Sequence, residues 1–407
     1  MMTNKQGAEL TFKDNLNRGR HGWVRLTPAY SVRIVERILE AHPDVAYILE
    51  PFSGTGTTGL VAGHYGLRCD LYDINPFLVW LAKVKCANYS PEQIACARGA
   101  AQEIVGHARK IQDHAALWFP AINNIERWWP HKRLVALAKL FRALNALLPE
   151  PCQEKDLLLV AFCRLIIQWS NAAFNHQSMS FKAHDRQLRL FDEEEEINQA
   201  FLSDVEEILV GASQDIPGVV RAYLGDSRNM AISNTGQQYD AVITSPPYVN
   251  RMSYIRELRP YMYWLGYLEE AREAGELDWE AIGGTWGVAT SRLSDWSPDG
   301  EHSTLPRLEP IVKEIARTSE VLSRYVHRYF IDMSRHFSSL YDVVAPGGRL
   351  YYVVGNSKFY DTLVPVEALY ADMMETHGFA DTQIEIIRKR NSKKELFEFL
   401  VSARKPL

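Results

Sequence analysis

No apolar run in this 407-residue chain approaches the roughly 20 residues that cross a bilayer. Neither sign of charge dominates, since 45 Lys and Arg against 50 Asp and Glu leave a formal net charge of −5. That balance does not advertise a nucleic-acid binder, yet it does not exclude one, because a polyanion meets one face rather than an average. Cysteine is scarce: the five residues, at 69, 86, 96, 152 and 163, include no Cys-x-x-Cys pair. Their spacing predicts reduced thiols and no zinc site. The opening Met-Met-Thr-Asn-Lys-Gln lacks the charged-then-apolar order of a secretion signal. Together these absences predict a cytoplasmic protein with no membrane partner. There is no internal repeat. What remains is ordinary globular composition, 46% hydrophobic and 23% charged, on a chain long enough for a large core or two modules.

Two short apolar runs end in loops that carry chemistry. Val45-Ala46-Tyr47-Ile48-Leu49 reads as a buried strand running into Glu50-Pro51-Phe52-Ser53-Gly54-Thr55-Gly56-Thr57-Thr58-Gly59, then a helix through Gly66. Glycines there let a ligand approach the backbone, and a helix N-terminus offers free N–H groups. The next strand, Cys69 to Tyr72, ends at Asp73, placed about 20 residues past the loop to accept bonds from ribose hydroxyls. Pro76 opens a helix running to about Ala87. This pattern alone predicts an adenosine-containing ligand and fits a dinucleotide-dependent oxidoreductase equally well. The second run, Ala241-Val242-Ile243, meets Thr244-Ser245-Pro246-Pro247-Tyr248. Adjacent prolines cannot continue a strand, so they leave a stiff strand end offering carbonyls, a hydroxyl and an aromatic face.

In combination the two loops resemble the amino-group DNA methyltransferases. Phe52-Ser53-Gly54-Thr55-Gly56 is similar to that family's first motif, and Ser245-Pro246-Pro247-Tyr248 fits its (Asp/Asn/Ser)-Pro-Pro-aromatic catalytic motif, in the serine form typical of the cytosine-N4 branch. The resemblance implies S-adenosyl-L-methionine as cofactor and double-stranded DNA as substrate. It implies an α/β fold, a Rossmann-like, doubly wound, mostly parallel sheet with an antiparallel C-terminal hairpin and helical insertions. Tyr223 to Ser227 resembles the third strand, with Asp226 meeting the cofactor's adenine. Leu340 to Gly348 resembles the turn before the fifth strand, and His21 to Pro28 the segment under the methionine end. The implied cofactor residues are Phe52, Ser53, Gly54, Thr55, Gly56, Asp73, Asn75, Asp226 and Thr244. The implied catalytic residues are Ser245, Pro246, Pro247 and Tyr248: the Ser245 hydroxyl and Pro246 carbonyl take the amine hydrogens, and Tyr248 stacks on a base rotated out of the duplex. Adenine N6 is the in-class alternative to cytosine N4. A non-catalytic nucleic-acid binder and the oxidoreductase are alternatives of other classes. A restriction-modification or phage-defence setting, with a separately encoded endonuclease as partner, completes the expectation.

The methyltransferase core is expected in three pieces, 1–89, 219–249 and 326–407. A mainly helical insertion of four or five helices fills 90–218, and a second insertion fills 250–325. Candidate DNA contacts are Asn175, Gln177 and Lys182 in the first insertion and Arg251 and Arg256 after the catalytic motif. Basic groups at Arg388 to Arg390 and Lys393-Lys394 are further candidates. The acidic run Asp192 to Glu196 reads as a solvated loop or linker. Pro151-Cys152-Gln153 matches the nucleophile motif of cytosine-C5 methyltransferases, but it lies between helical stretches and reads as a turn.

Overall fold

The computed structural model describes residues 10–25, 29–112, 116–173, 180–181, 192–230, 236–285, 288–298, 305–390 and 395–407. Strands β1 (Tyr47–Glu50), β2 (Arg68–Asp73), β5 (Val219–Leu224), β6 (Tyr239–Thr244) and β7 (Val344–Gly355) run parallel. Strands β8 (Ala380–Lys389) and β9 (Phe397–Arg404) follow, β9 antiparallel to β7 and β8 antiparallel to β9, giving the order β8-β9-β7-β6-β1-β2-β5. The sheet is thus the α/β, mostly parallel arrangement with an antiparallel C-terminal hairpin expected from the sequence.

Central parallel strands are covered on both faces, and successive residues serve opposite layers. Ile48, Ala241 and Ile243 pack with Val35, Ile38 and Leu39 of α1 (Val32–Ala41) and with Val61 of α2 (Thr57–His64). Leu49 and Val242 pack instead with Phe330 and Phe337 of α13 (Glu320–Val343) and Leu369 of α14 (Val366–Thr376). Ser31 caps α1, and Asn75 caps α3 (Pro76–Cys86), where Pro76 lacks an N–H at a position that needs none.

The first insertion holds α4 (Pro91–Ala108), α5 (Ile125–Trp128), α6 (His131–Leu147), α7 (Gln153–Gln168), the small hairpin β3 (Ala172–Ala173) and β4 (Ser180–Phe181), and α8 (Glu193–Ala212). The second holds α9 (Tyr254–Trp264), α10 (Ala271–Glu280), α11 (Val288–Asp295) and α12 (Leu308–Ala316). The two insertions share a core: Trp264 of α9 meets Trp118, Trp129, Phe141 and Phe162 edge-on.

Two expectations are corrected. The acidic run is no linker: Asp192 caps α8, and Glu193 to Glu196 form its first turn, where negative charge suits the helix dipole. Glu193, Glu194 and Glu195 pair with Arg133, Lys139 and Arg109 at 3.0, 2.9 and 2.6 Å. The turn expected over 340–348 is instead the end of α13 and an irregular start of β7, where pairing with β6 shifts between Tyr239 and Ala241. Among the described residues no helix is long and apolar enough to cross a membrane.

Candidate active site

Strands β1 and β6 are neighbours, with Ile48 beside Ala241 and Leu49 beside Val242. From this pair the chain builds outward in opposite directions, β1 to β2 to β5 and β6 to β7. Such a reversal leaves a crevice at the carboxyl ends of the strands. Here it is a cleft of about 910 Å³ counting its open mouth, lined by Phe52 to Thr55, Asp73 to Asn75, Asp226, Ser245, Pro247 and Tyr254 among others. The two loops singled out in the sequence therefore share one cavity.

On the β1 side the backbone turns through Gly54 and Gly56, at φ +51° and +77°, which favour glycine. Gly59 lies so close to the sheet that a Cβ would stand 2.7 Å from Leu71, so α2 packs directly on β2 and β5. The loop is fastened from outside itself. Asp73 accepts from the N–H groups of Gly54 and Asn75 at 2.8 and 2.9 Å, and the buried Lys85 ammonium donates to the Thr55 carbonyl at 2.8 Å. Burial pushes the Asp73 carboxyl up to about 6, leaving it ionised at neutral pH with lone pairs to spare. The Ser53 hydroxyl is buried in the cleft wall, and among the described residues nothing pairs with it. An orphaned donor beside free helix N–H groups and an ionised acid suits a zwitterionic, ribose-bearing ligand.

Asp226 lines the cleft from the end of β5. Both its oxygens accept from Arg228, which also holds Asp332 at 3.1 Å and the Glu280 carbonyl at 2.6 Å. Burial raises the Asp226 carboxyl, but the Arg228 bonds and charge outweigh it and hold the group below its usual range. Gly56, Thr244 and Pro246 do not line the cleft. Thr244 is fully buried, its hydroxyl given to Glu50.

On the β6 side, Ser245 donates its hydroxyl to the Val353 carbonyl of β7 at 3.0 Å. The Pro247 carbonyl accepts from Tyr329 at 2.7 Å; among the described residues nothing donates to the Pro246 carbonyl. Tyr248 does not line the cleft directly. Its hydroxyl donates to Glu398 at 2.9 Å, Glu398 is held by Arg388 at 2.6 Å, and Arg390 lies 5.7 Å over the ring. Arg388 thus reaches the motif through Glu398, and Arg390 through the Tyr248 ring. Arg251 is exposed and Arg256 half-buried near the cleft mouth. Asn175, Gln177, Lys182, Lys393 and Lys394 lie outside the described residues. Cys152 caps α7, is absent from the cleft, and has its thiol raised by burial, the opposite of an activated nucleophile.

Glu50 escaped sequence reading. It ends β1 fully buried, and its carboxyl takes Thr244, Thr58, Tyr30 and the Phe52 N–H. It joins the glycine loop to the end of β6. Burial pushes it from 4.5 up to about 7. The folded state therefore holds this proton where the unfolded chain has released it. Stability from the neutral acid is fully present below pH 4.5 and lost as pH rises through about 7. Glu50→Gln keeps an acceptor for Thr244 and Phe52 and should abolish that slope. Denaturant midpoints should show the parent losing about 3 kcal/mol relative to the variant between pH 4.5 and 8. Parallel profiles would remove Glu50 from this role.

No protein-family model matches the chain. It is 24% identical over 446 residues to the type II methyltransferase M.BsoBI of Geobacillus stearothermophilus, covering 96% of this chain and 85% of that protein. It is 18% identical over 370 residues to M.MvaI of Kocuria varians (87% and 79%), and 21% identical over 439 residues to M.AvaI of Nostoc sp. (95% and 85%), both also type II methyltransferases. A solved rRNA methyltransferase, aviRa of Streptomyces viridochromogenes, aligns over 96% of this chain and 92% of its own at 12% identity with a TM-score of 0.29, too loose a superposition to draw on. Along nearly its whole length the chain is similar in sequence to proteins named as type II methyltransferases.

Proposed function

We propose that the protein is an S-adenosyl-L-methionine-dependent DNA methyltransferase acting on an exocyclic base amine, cytosine N4 first and adenine N6 as the alternative. The observation that carries this is the orientation of Ser245. Ser245 gives its proton to Val353 and also meets the Tyr248 hydroxyl, so lone-pair capacity remains to accept from a ligand in the cleft. An exocyclic amine is a poor nucleophile while its lone pair is delocalised into the ring. Acceptors at Ser245 and the Pro246 carbonyl favour a pyramidal nitrogen and free that pair. The bound cofactor supplies an electrophilic methyl on a sulfonium. Phe52 to Thr55, Asp73, Asn75 and Asp226 would hold it, and in-line positioning contributes much of the acceleration. No covalent intermediate is needed, which agrees with the capping role of Cys152. Tyr248, braced by Glu398 and Arg390, is the stacking surface for a base rotated out of double-stranded DNA. The type II relatives favour a restriction-modification setting with a separately encoded endonuclease.

Incubation with mixed-sequence DNA and labelled S-adenosylmethionine, followed by nucleoside mass spectrometry, tests this. N4-methylcytosine is the expected product, and N6-methyladenine would select the alternative. Binding of a nicotinamide dinucleotide without methyl transfer would overturn the proposal.

A further inference from the structure

Arginines in this chain usually face an acid, as Arg98 faces Glu206 and Arg164 faces Glu207. Among the described residues, Arg127, Arg251 and Arg256 face none. All three lie along one path. Arg251 follows the catalytic motif, exposed, with its N–H given to Tyr325 and its φ at +62°. Tyr254 and Ile255, which open α9, line the cleft. Arg256 comes next, and Arg259 sits one turn on, donating to the Arg256 carbonyl at 3.3 Å. Arg259 lies 5.8 Å over Trp128, whose ring meets Phe181 edge-on at 5.1 Å, and Arg127 lies 4.2 Å over Phe181. The cations thus run from the cleft mouth along α9 to the β3–β4 hairpin of the other insertion. Like charges on one helix turn oppose each other. Burial first, then the Arg256 charge, pulls the Arg259 guanidinium down to about 10.

A row of cations spread over two insertions suits a repeating anion better than a single small one. We propose that Arg127, Arg251, Arg256 and Arg259 form the track that holds the phosphate backbone of duplex DNA beside the cleft. This rests on the methyltransferase reading for the choice of DNA, and it assigns Arg127, Arg259 and the hairpin base a part in substrate binding.

Salt dependence separates phosphate contact from a structural role. Fluorescence anisotropy with a labelled mixed-sequence duplex would be followed from low to moderate salt on the full chain. Each of Arg127→Gln, Arg251→Gln and Arg256→Gln should reduce the slope of log affinity against log salt by about 0.9, and the triple variant by roughly 2.7. Arg37→Gln, which removes an exposed arginine paired with Glu385, should leave the slope unchanged. Cofactor affinity and denaturant midpoints should stay at parent values in the three track variants. An unchanged slope in the triple variant overturns the track, as does an equal loss from Arg37→Gln. A larger loss on duplex RNA than on DNA overturns the choice of DNA. If instead the methyltransferase reading is wrong, the parent protein transfers no methyl group whatever the variants do.

Discussion

Ser245→Ala should lose about two to three orders of magnitude in turnover while binding S-adenosylmethionine within about twofold of the parent. The side chain stands at the cleft wall with its proton committed to Val353, so its removal deletes an acceptor and nothing that touches the glycine loop. Asp73→Ala should do the reverse. Its carboxylate fastens Gly54 and Asn75 and offers charge to the ligand, so cofactor dissociation constants should rise about ten- to a hundredfold. Turnover at saturating cofactor should fall far less. Single-turnover rates with cofactor pre-bound, set beside calorimetric titration of cofactor alone, resolve the two effects. Ser245→Ala retaining turnover within about threefold, or losing cofactor affinity in proportion, would remove the hydroxyl from the chemistry.

Much of this site was legible because its signals are local. Glycine at 54 and 56, proline at 76 and the double proline at 246–247 restrict their own backbone, so loop and helix starts follow from neighbours in sequence. What escaped depends on distant partners. Glu50 looks like the first residue of a loop until Tyr30, Thr58 and Thr244 arrive from three elements to bury it. The adjacency of β1 and β6, which puts both loops in one cleft, is a pairing of residues 48 and 241 that no local pattern encodes. Likewise the basic cluster near 388–390 read as candidate DNA contacts, although Glu398 and the Tyr248 ring engage two of its arginines. The acidic run was misread for a different reason. Asp192 followed by glutamates is a helix-start signature, but the density of like charge suggested solvation.

The largest stability effect should come from Arg20, a residue with no catalytic part. Its side chain is 1% exposed, and it donates to five backbone carbonyls: Lys85 and Ala87 at the end of α3, and Gly211, Ala212 and Gln214 at the end of α8. The last carbonyls of a helix have no partner within it and carry the negative end of its dipole. Two such ends converge here, and one planar guanidinium with five N–H donors satisfies both. Burial lowers its affinity for the proton, with Tyr89 opposing, but an arginine stays charged. Arg20→Met would fill similar volume and strip the Lys85, Ala87, Ala212 and Gln214 carbonyls of this donor, while Gly211 keeps the Gln214 N–H at 3.2 Å. A loss of about 3–5 kcal/mol is expected, seen as a lower denaturant midpoint at unchanged slope. Arg20→Lys, with three donors on a point charge, should recover only part of it. The same loss should loosen the glycine loop, because α3 ends beside Lys85, whose ammonium pins the Thr55 carbonyl. A midpoint shift worth less than about 1 kcal/mol for Arg20→Met would show that water reaches these helix ends and that the clamp is not what joins the insertion to the core.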